Sequence, residues 1–323
     1  VIDFRYHLVS LISVFLALAV GIILGAGPLQ GAIGETLTEQ VDALRAERTD
    51  LRTELDATQT ALDGDERFIE AVSTQLVPGS LEGDRIAVVE LGDVSDDVRD
   101  GVRAQLDAAG AAVVSTSTLT EAWTDPDEES SRETVADGLR ANLGDNAPEE
   151  EDAGATLGTA LALALTGSEG GEGDAGGTQR SAQAVDLEAQ LERFGFVEAG
   201  EEQTEAAQAV LLLVGPAGQP QQTADGSTEE AEPAPDTWTA VTRAVQQVSG
   251  AAVLAGPTED PGDAVQAVRD DEAIAAEVST VSGLSRLTGR ITVPLAIAAR
   301  LDGVVGQYGL EDDATAVLPP AAP

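Results

Sequence analysis

Residues 8–27 read LVSLISVFLALAVGIILGAG, a run with no charge and only two serines. At 1.5 Å per residue, a helix of this length covers the roughly 30 Å hydrocarbon core of a bilayer. The stretch beginning at Leu8 and ending at Gly27 therefore predicts a membrane anchor. A cleaved signal peptide has a shorter apolar stretch, and Pro28 sits badly just after the small pair Ala26-Gly27. A core helix this long would carry a polar stripe. Arg5 and the terminal amine precede the span, whereas Glu35, Glu39 and Asp42 follow it. The positive-inside tendency then predicts a short cytoplasmic tail, with the bulk of the chain on the far side.

From Leu37 the apolar positions recur in alternating steps of four and three. They are Leu37, Val41, Leu44, Arg48, Leu51, Leu55, Thr58, Leu62, Asp65, Ile69, Val72 and Leu76, nine of the twelve being apolar. A seam sustained over more than five heptads predicts a coiled coil rather than an ordinary amphipathic helix. Its flanks are polar (Glu39, Gln40, Glu47, Asp50, Glu54), and no second heptad segment exists in the chain to pair with it. The predicted partner is therefore another copy, in a parallel homodimer. Arg48 at an a position and Asp65 at a d position fit two strands, where long stems lie along the seam and charges reach water. Gly27-Pro28, Gly31 and Gly34 interrupt the join to the anchor.

Pro78-Gly79 and Gly83 end this pattern. Short continuous apolar runs then alternate with helical periods. Residues 85–91, 111–117, 209–214 and 251–255 read as strands, with a weaker one at 277–281. Residues 95–109, 185–194 and a stretch marked by Trp238, Val241, Val245 and Val248 read as helices. Continuous apolar strands alternating with helices predict a mostly parallel sheet covered on both faces, in the Rossmann-like or flavodoxin-like class of α/β sandwiches. The predicted division is an anchor with its tail (1–34), a coiled coil (35–80) and an α/β domain (81–323). Acidic or Gly- and Pro-rich stretches at about 124–154, 167–181 and 215–236 read as flexible insertions. Residues 156–165 (TLGTALALAL) are too short to cross a membrane and read as a core helix. Pro294 would kink the helix near the C-terminus or start it.

Composition narrows the chemistry. The chain carries 58 acidic and 17 basic residues, all of the latter Arg, for a formal charge of −41. So anionic a surface repels nucleic acid and anionic lipid. With no Cys there is neither a disulfide nor a thiolate. The missing Met is consistent with a GTG start translated literally as Val1. The single histidine, His7, lies at the membrane edge beside Arg5 and Tyr6, without the convergent ligands a metal site needs. It also rules out a serine–histidine triad in the domain. Gly215-Pro216-Ala217-Gly218 follows a strand, but neither a GxGxxG fingerprint nor a Walker motif is present. No catalytic residue, resident metal or cofactor is expected, and the chain is not read as an enzyme.

The opening, residues 2–22 (IDFRYHLVSLISVFLALAVGI) followed by LGAGPL at 24–29, resembles the actinobacterial MctB family. Thr288-Gly289-Arg290, Gly306-Gln307-Tyr308-Gly309 and Leu318-Pro319 resemble its ending. That family is named for a copper transport protein assigned to the outer membrane, so the resemblance implies a role in moving copper across the cell envelope. It is also similar to SteB, an envelope protein that works with a partner in cell separation. The residues themselves leave two readings open. Cu(I) prefers thiolate, thioether and imidazole ligands, which are nearly absent here, and the domain shows no succession of alternating ten-residue strands for a barrel. A copper-homeostasis protein and a coiled-coil scaffold or regulator of wall remodelling, acting through a protein partner, both remain.

Overall fold

The structure, a computed structural model, describes residues 4–26, 28–148, 152–169, 178–200, 205–216, 221–222, 228–229, 235–258 and 263–320; the side chains of 24–38, 221–222, 228–229 and 235 lie outside that description. The chain divides into two compact units, Val1–Arg67 and Phe68–Pro323. In the first, α1 (Phe4–Ala26) contains the apolar run, and its window Phe4–Ile23 is long and apolar enough to cross a membrane by length and composition. Helix α2 (Pro28–Leu76) begins on a proline, where the missing N–H costs nothing, and continues for 49 residues.

The second unit is mixed α/β. Its elements are β1 (Arg85–Leu91), α3 (Asp96–Ala109), β2 (Ala112–Leu119), α4 (Glu129–Arg140), α5 (Ala153–Thr166), α6 (Ala182–Arg193), β3 (Val197–Ala199) and β4 (Ala209–Val214). After a small pair, β5 (Gln221–Gln222) with β6 (Thr228–Glu229), come α7 (Pro235–Ser249), β7 (Ala252–Gly256), α8 (Ala264–Asp270), α9 (Glu272–Ala275), β8 (Ser279–Ser282), α10 (Leu287–Leu301) and β9 (Gln307–Tyr308). Seven strands form one sheet in the order β3-β2-β1-β4-β7-β8-β9. All neighbours are parallel except β3, which runs antiparallel to β2 at the edge.

Alternation along β1 shows why both faces are covered. Ile86 and Val88 join the core beneath α3 and α10, while Ala87, Val89 and Leu91 join the core beneath α4 to α8. Strands apolar on both sides leave no face for water, which is why β4 reads as an unbroken AVLLLV. On the second face, Gly158 of α5 lets α7 come close: a Cβ there would sit 3.0 Å from the Ala244 Cβ. The run at 156–165 is thus a buried core helix.

Two expectations need correction. The acidic stretch beginning near 124 is not a solvated insertion as far as 148. It holds α4, whose Val135, Ala136 and Leu139 are buried although its remaining surface is acidic and polar. The boundary of the α/β unit falls after Arg67 rather than at 80/81, because Ile69 packs on the sheet's core and Val77 and Leu81 are fully buried. The proposed insertions at 167–181 and 215–236 lie largely outside the described residues. Pro294 stands inside α10.

At the point where the strand order reverses, between β1 and β4, open α/β sheets usually hold a ligand crevice. Here the backbone fills that space. The Gly215 N–H donates to the Leu91 carbonyl at 3.0 Å, and a Cβ on Gly215 would lie 2.2 Å from the Asp93 carbonyl oxygen. Gly215→Ala must push the two loops apart. We expect it to destabilise the domain by about 1–3 kcal/mol, the usual cost of overpacking, measured as a fall in unfolding temperature. An unchanged temperature would mean that the loops separate freely.

Candidate functional site

All twelve positions singled out on the seam fall on α2. Val41, Leu44, Leu51, Leu55 and Leu62 are exposed, from 37% for Val41 to 63% for Leu44, and Arg48 is exposed among them. The side chain of Leu37 lies outside the described residues. Apolar residues spaced this regularly and left in water form a surface that gains from being covered. The last heptads differ. Ile69 packs against the unit's own α/β core, Val72 is half-buried, and Leu76 is exposed at 47%.

The same edge of the domain is tied down by a cation that the sequence did not single out. Arg269, on α8, is 1% exposed at its side chain. Its Nε donates to the Thr280 hydroxyl at 2.9 Å, and one terminal nitrogen donates to the Tyr308 carbonyl at 2.9 Å and the Ser282 hydroxyl at 3.2 Å. The other terminal nitrogen faces Asp313 at 3.2 Å and Glu311 at 3.7 Å. One guanidinium thereby joins α8, β8, β9 and the segment after β9. Burial alone would raise the Glu311 carboxyl, but the Ser282 hydroxyl, backbone N–H groups and Arg269 outweigh it and hold the pKa below its ordinary value. Nothing in the sequence near Arg269 announces this, since its partners lie 11 to 44 residues further on.

Other charged links are structural. Buried Glu90 on β1 accepts from Arg99 of α3 at 2.5 and 2.7 Å, which fixes the turn between them. Arg290 of α10 pairs with Asp97 of α3 and donates to the Leu284 carbonyl at 2.7 Å. Carboxylates do gather in one cleft of about 520 Å³, with Glu129, Glu133, Asp137, Asp152 and Asp236 on its walls. Even so, no group of three or more His, Cys, Asp or Glu side chains is placed to hold a metal ion among the described residues. His7 is exposed on α1.

The family model described as "Copper transport outer membrane protein, MctB" matches residues 1–319, from the first helix through the segment that Arg269 holds. The chain belongs to the MctB family. Two relatives, each named "Copper transporter MctB", come from Mycobacterium tuberculosis and Mycobacterium bovis. Each is 28% identical over 327 residues, covering 98% of this chain and 98% of the relative. The MctB match therefore includes both units and not the α/β domain alone.

Proposed function

We propose that the protein serves copper transport at the cell envelope as a membrane-anchored, parallel coiled-coil dimer whose α/β heads stand on the extracytoplasmic side. The observation that carries the reading is the full-length match to a family described by copper transport. The length and apolar composition of α1 support the anchor, and the exposed seam of α2 supports the pairing. The order of the six parallel strands, numbered as they appear, is 2-1-3-4-5-6, and its first five supply the flavodoxin-like order, which supports such a head. Arg5 before the span and Glu39 and Asp42 after it support the orientation.

The chain's part in transport is assembly rather than coordination. Cu(I) is held by soft sulfur and imidazole donors, and this sequence contains no Cys, no Met and one His. We expect a strain lacking the protein to accumulate several-fold more copper than its parent and to grow poorly in copper. Equal copper content in the two strains would remove transport and leave a scaffold role in its place. In a competition titration, the purified chain should take up Cu(I) no better than an unrelated acidic protein; stoichiometric submicromolar binding would contradict assembly as its contribution. For the orientation, protease added to intact protoplasts should digest the chain beyond Glu39. Protection until lysis would reverse the topology.

A further inference from the structure

A cavity of about 260 Å³ opens within the second unit, outside the carboxyl ends of β8 and β9. Its walls are mainly apolar: Phe68 and Val72 from α2, Ile291 from α10, and Leu310, Val317 and Leu318 from the segment after β9. Several of these side chains, among them Phe68 at 70%, Leu310 at 57% and Val317 at 55%, remain exposed in the folded chain. Carboxyl ends of parallel strands are where open α/β sheets bind ligands. The crevice between β1 and β4 is closed by Gly215 against Asp93, so this edge holds the apolar space instead.

The cavity has one polar end. Arg286 lines it, is exposed, and makes no side-chain hydrogen bond or ion pair among the described residues. Arg286 is also the residue before the first turn of α10, and no side chain caps that turn. The N–H groups of Leu287, Thr288 and Gly289 have no intrahelical acceptor and point the positive end of the helix toward an anion. Glu311 is the carboxylate in the lining, and it is already engaged by the Ser282 hydroxyl, the Leu310 N–H and Arg269. An unengaged guanidinium beside an apolar cavity is notable on a chain of charge −41.

We propose that this cavity binds a medium-chain fatty carboxylate, with its alkyl chain between α2 and the segment after β9 and its head group at Arg286. Size decides the class. A dry apolar cavity of about 150 Å³ already takes up benzene, while pockets for larger, drug-sized ligands run from about 300 Å³ upward. At the same volume per carbon, the cavity of about 260 Å³ holds roughly ten carbons, one medium-length alkyl chain and not the two chains of a phospholipid. The free cation selects an acid over its neutral ester or alcohol.

The test uses the full chain in a lipid nanodisc, exposed to decanoic acid carrying a photoactivatable diazirine. Cleavage at Arg67 and Arg85 releases residues 68–85 as one peptide, and cleavage at Arg300 releases the C-terminal segment. Both should be labelled, and a tenfold excess of plain decanoate should compete most of the label away. Label on α1, which any lipophilic probe reaches, serves as the internal standard. Val72→Trp fills the cavity and should lower head labelling at least tenfold with α1 unchanged. Arg286→Gln, at an exposed position whose loss leaves folding intact, should lower it at least fivefold. The proposal is overturned if the head stays unlabelled while α1 is labelled, or if the methyl ester competes as well as the acid. It is equally overturned if a diazirine phospholipid labels the head in preference to the acid, or if Arg286→Gln changes nothing.

Discussion

Full-length protein carrying Leu51→Asp together with Leu55→Asp is expected to sediment in detergent as a monomer, and the unaltered chain is expected to sediment as a dimer. Both leucines are exposed on α2, at 58% and 56%. Burying one leucine stabilises by about 1.5–3 kcal/mol. Four leucines across a paired seam therefore contribute roughly 6–12 kcal/mol, or at least about four orders of magnitude in dissociation constant. Charges placed at a and d repel as well as remove that gain. The α/β unit should be untouched, because its core begins at Ile69 and its unfolding temperature should stay the same. A double variant that still sediments as a dimer would move the pairing surface to α1 or to the α/β unit.

The second large effect is expected at Arg269. Arg269→Met keeps much of the side chain's volume but removes the charge on which Thr280, Ser282, Tyr308 and Asp313 converge. Breaking a buried ionic network by deleting one partner costs about 3–5 kcal/mol. For a domain of this size that is a fall of roughly 6–20 °C in unfolding temperature. The contrasting variant is Arg243→Ala, whose pair with Asp271 at 3.4 Å is nearly half exposed on both sides and should cost less than about 1 kcal/mol. The same network gives a pH dependence. Glu311 has a folded pKa below its ordinary 4.5, so its stabilisation is fully present above that value. It is lost as the pH falls below 4.5 through the depressed folded value. Arg269→Met should flatten this acid limb in a series of thermal melts. An unaltered limb would assign it to other carboxylates.

How far the fold could be read in advance depended on whether a feature was local. The α1 span shows itself because twenty neighbouring residues share one property. Strands β4 and β7 show themselves because a strand buried on both faces carries no polar side chain, and β1 does so through its run at 86–89. Strands β3 and β9 are three and two residues long, too short for any period to register. Helix α4 was hidden by Glu129 and Glu133, since only three of its residues face the core. The seam positions stand out in the sequence by spacing alone, but that spacing cannot tell that Ile69 leans on its own unit while Leu51 and Leu55 face water. Neither the Arg269 network nor the cavity beside Arg286 has a local signature, because each is assembled from segments far apart in the chain.

The order in which Arg269 and its partners leave the ribosome also matters. Arg269 precedes Tyr308 by 39 residues and Asp313 by 44. Until those residues have emerged, a guanidinium destined for the interior has no counter-charge and no acceptor from β9, and the cost of drying it is unrecovered. The β8 edge therefore stays hydrated from its own synthesis until the last segment arrives. Chains shortened by premature termination or by trimming before Gln307 would keep every long helix and most of the sheet, yet display a wet, unlocked edge to proteases.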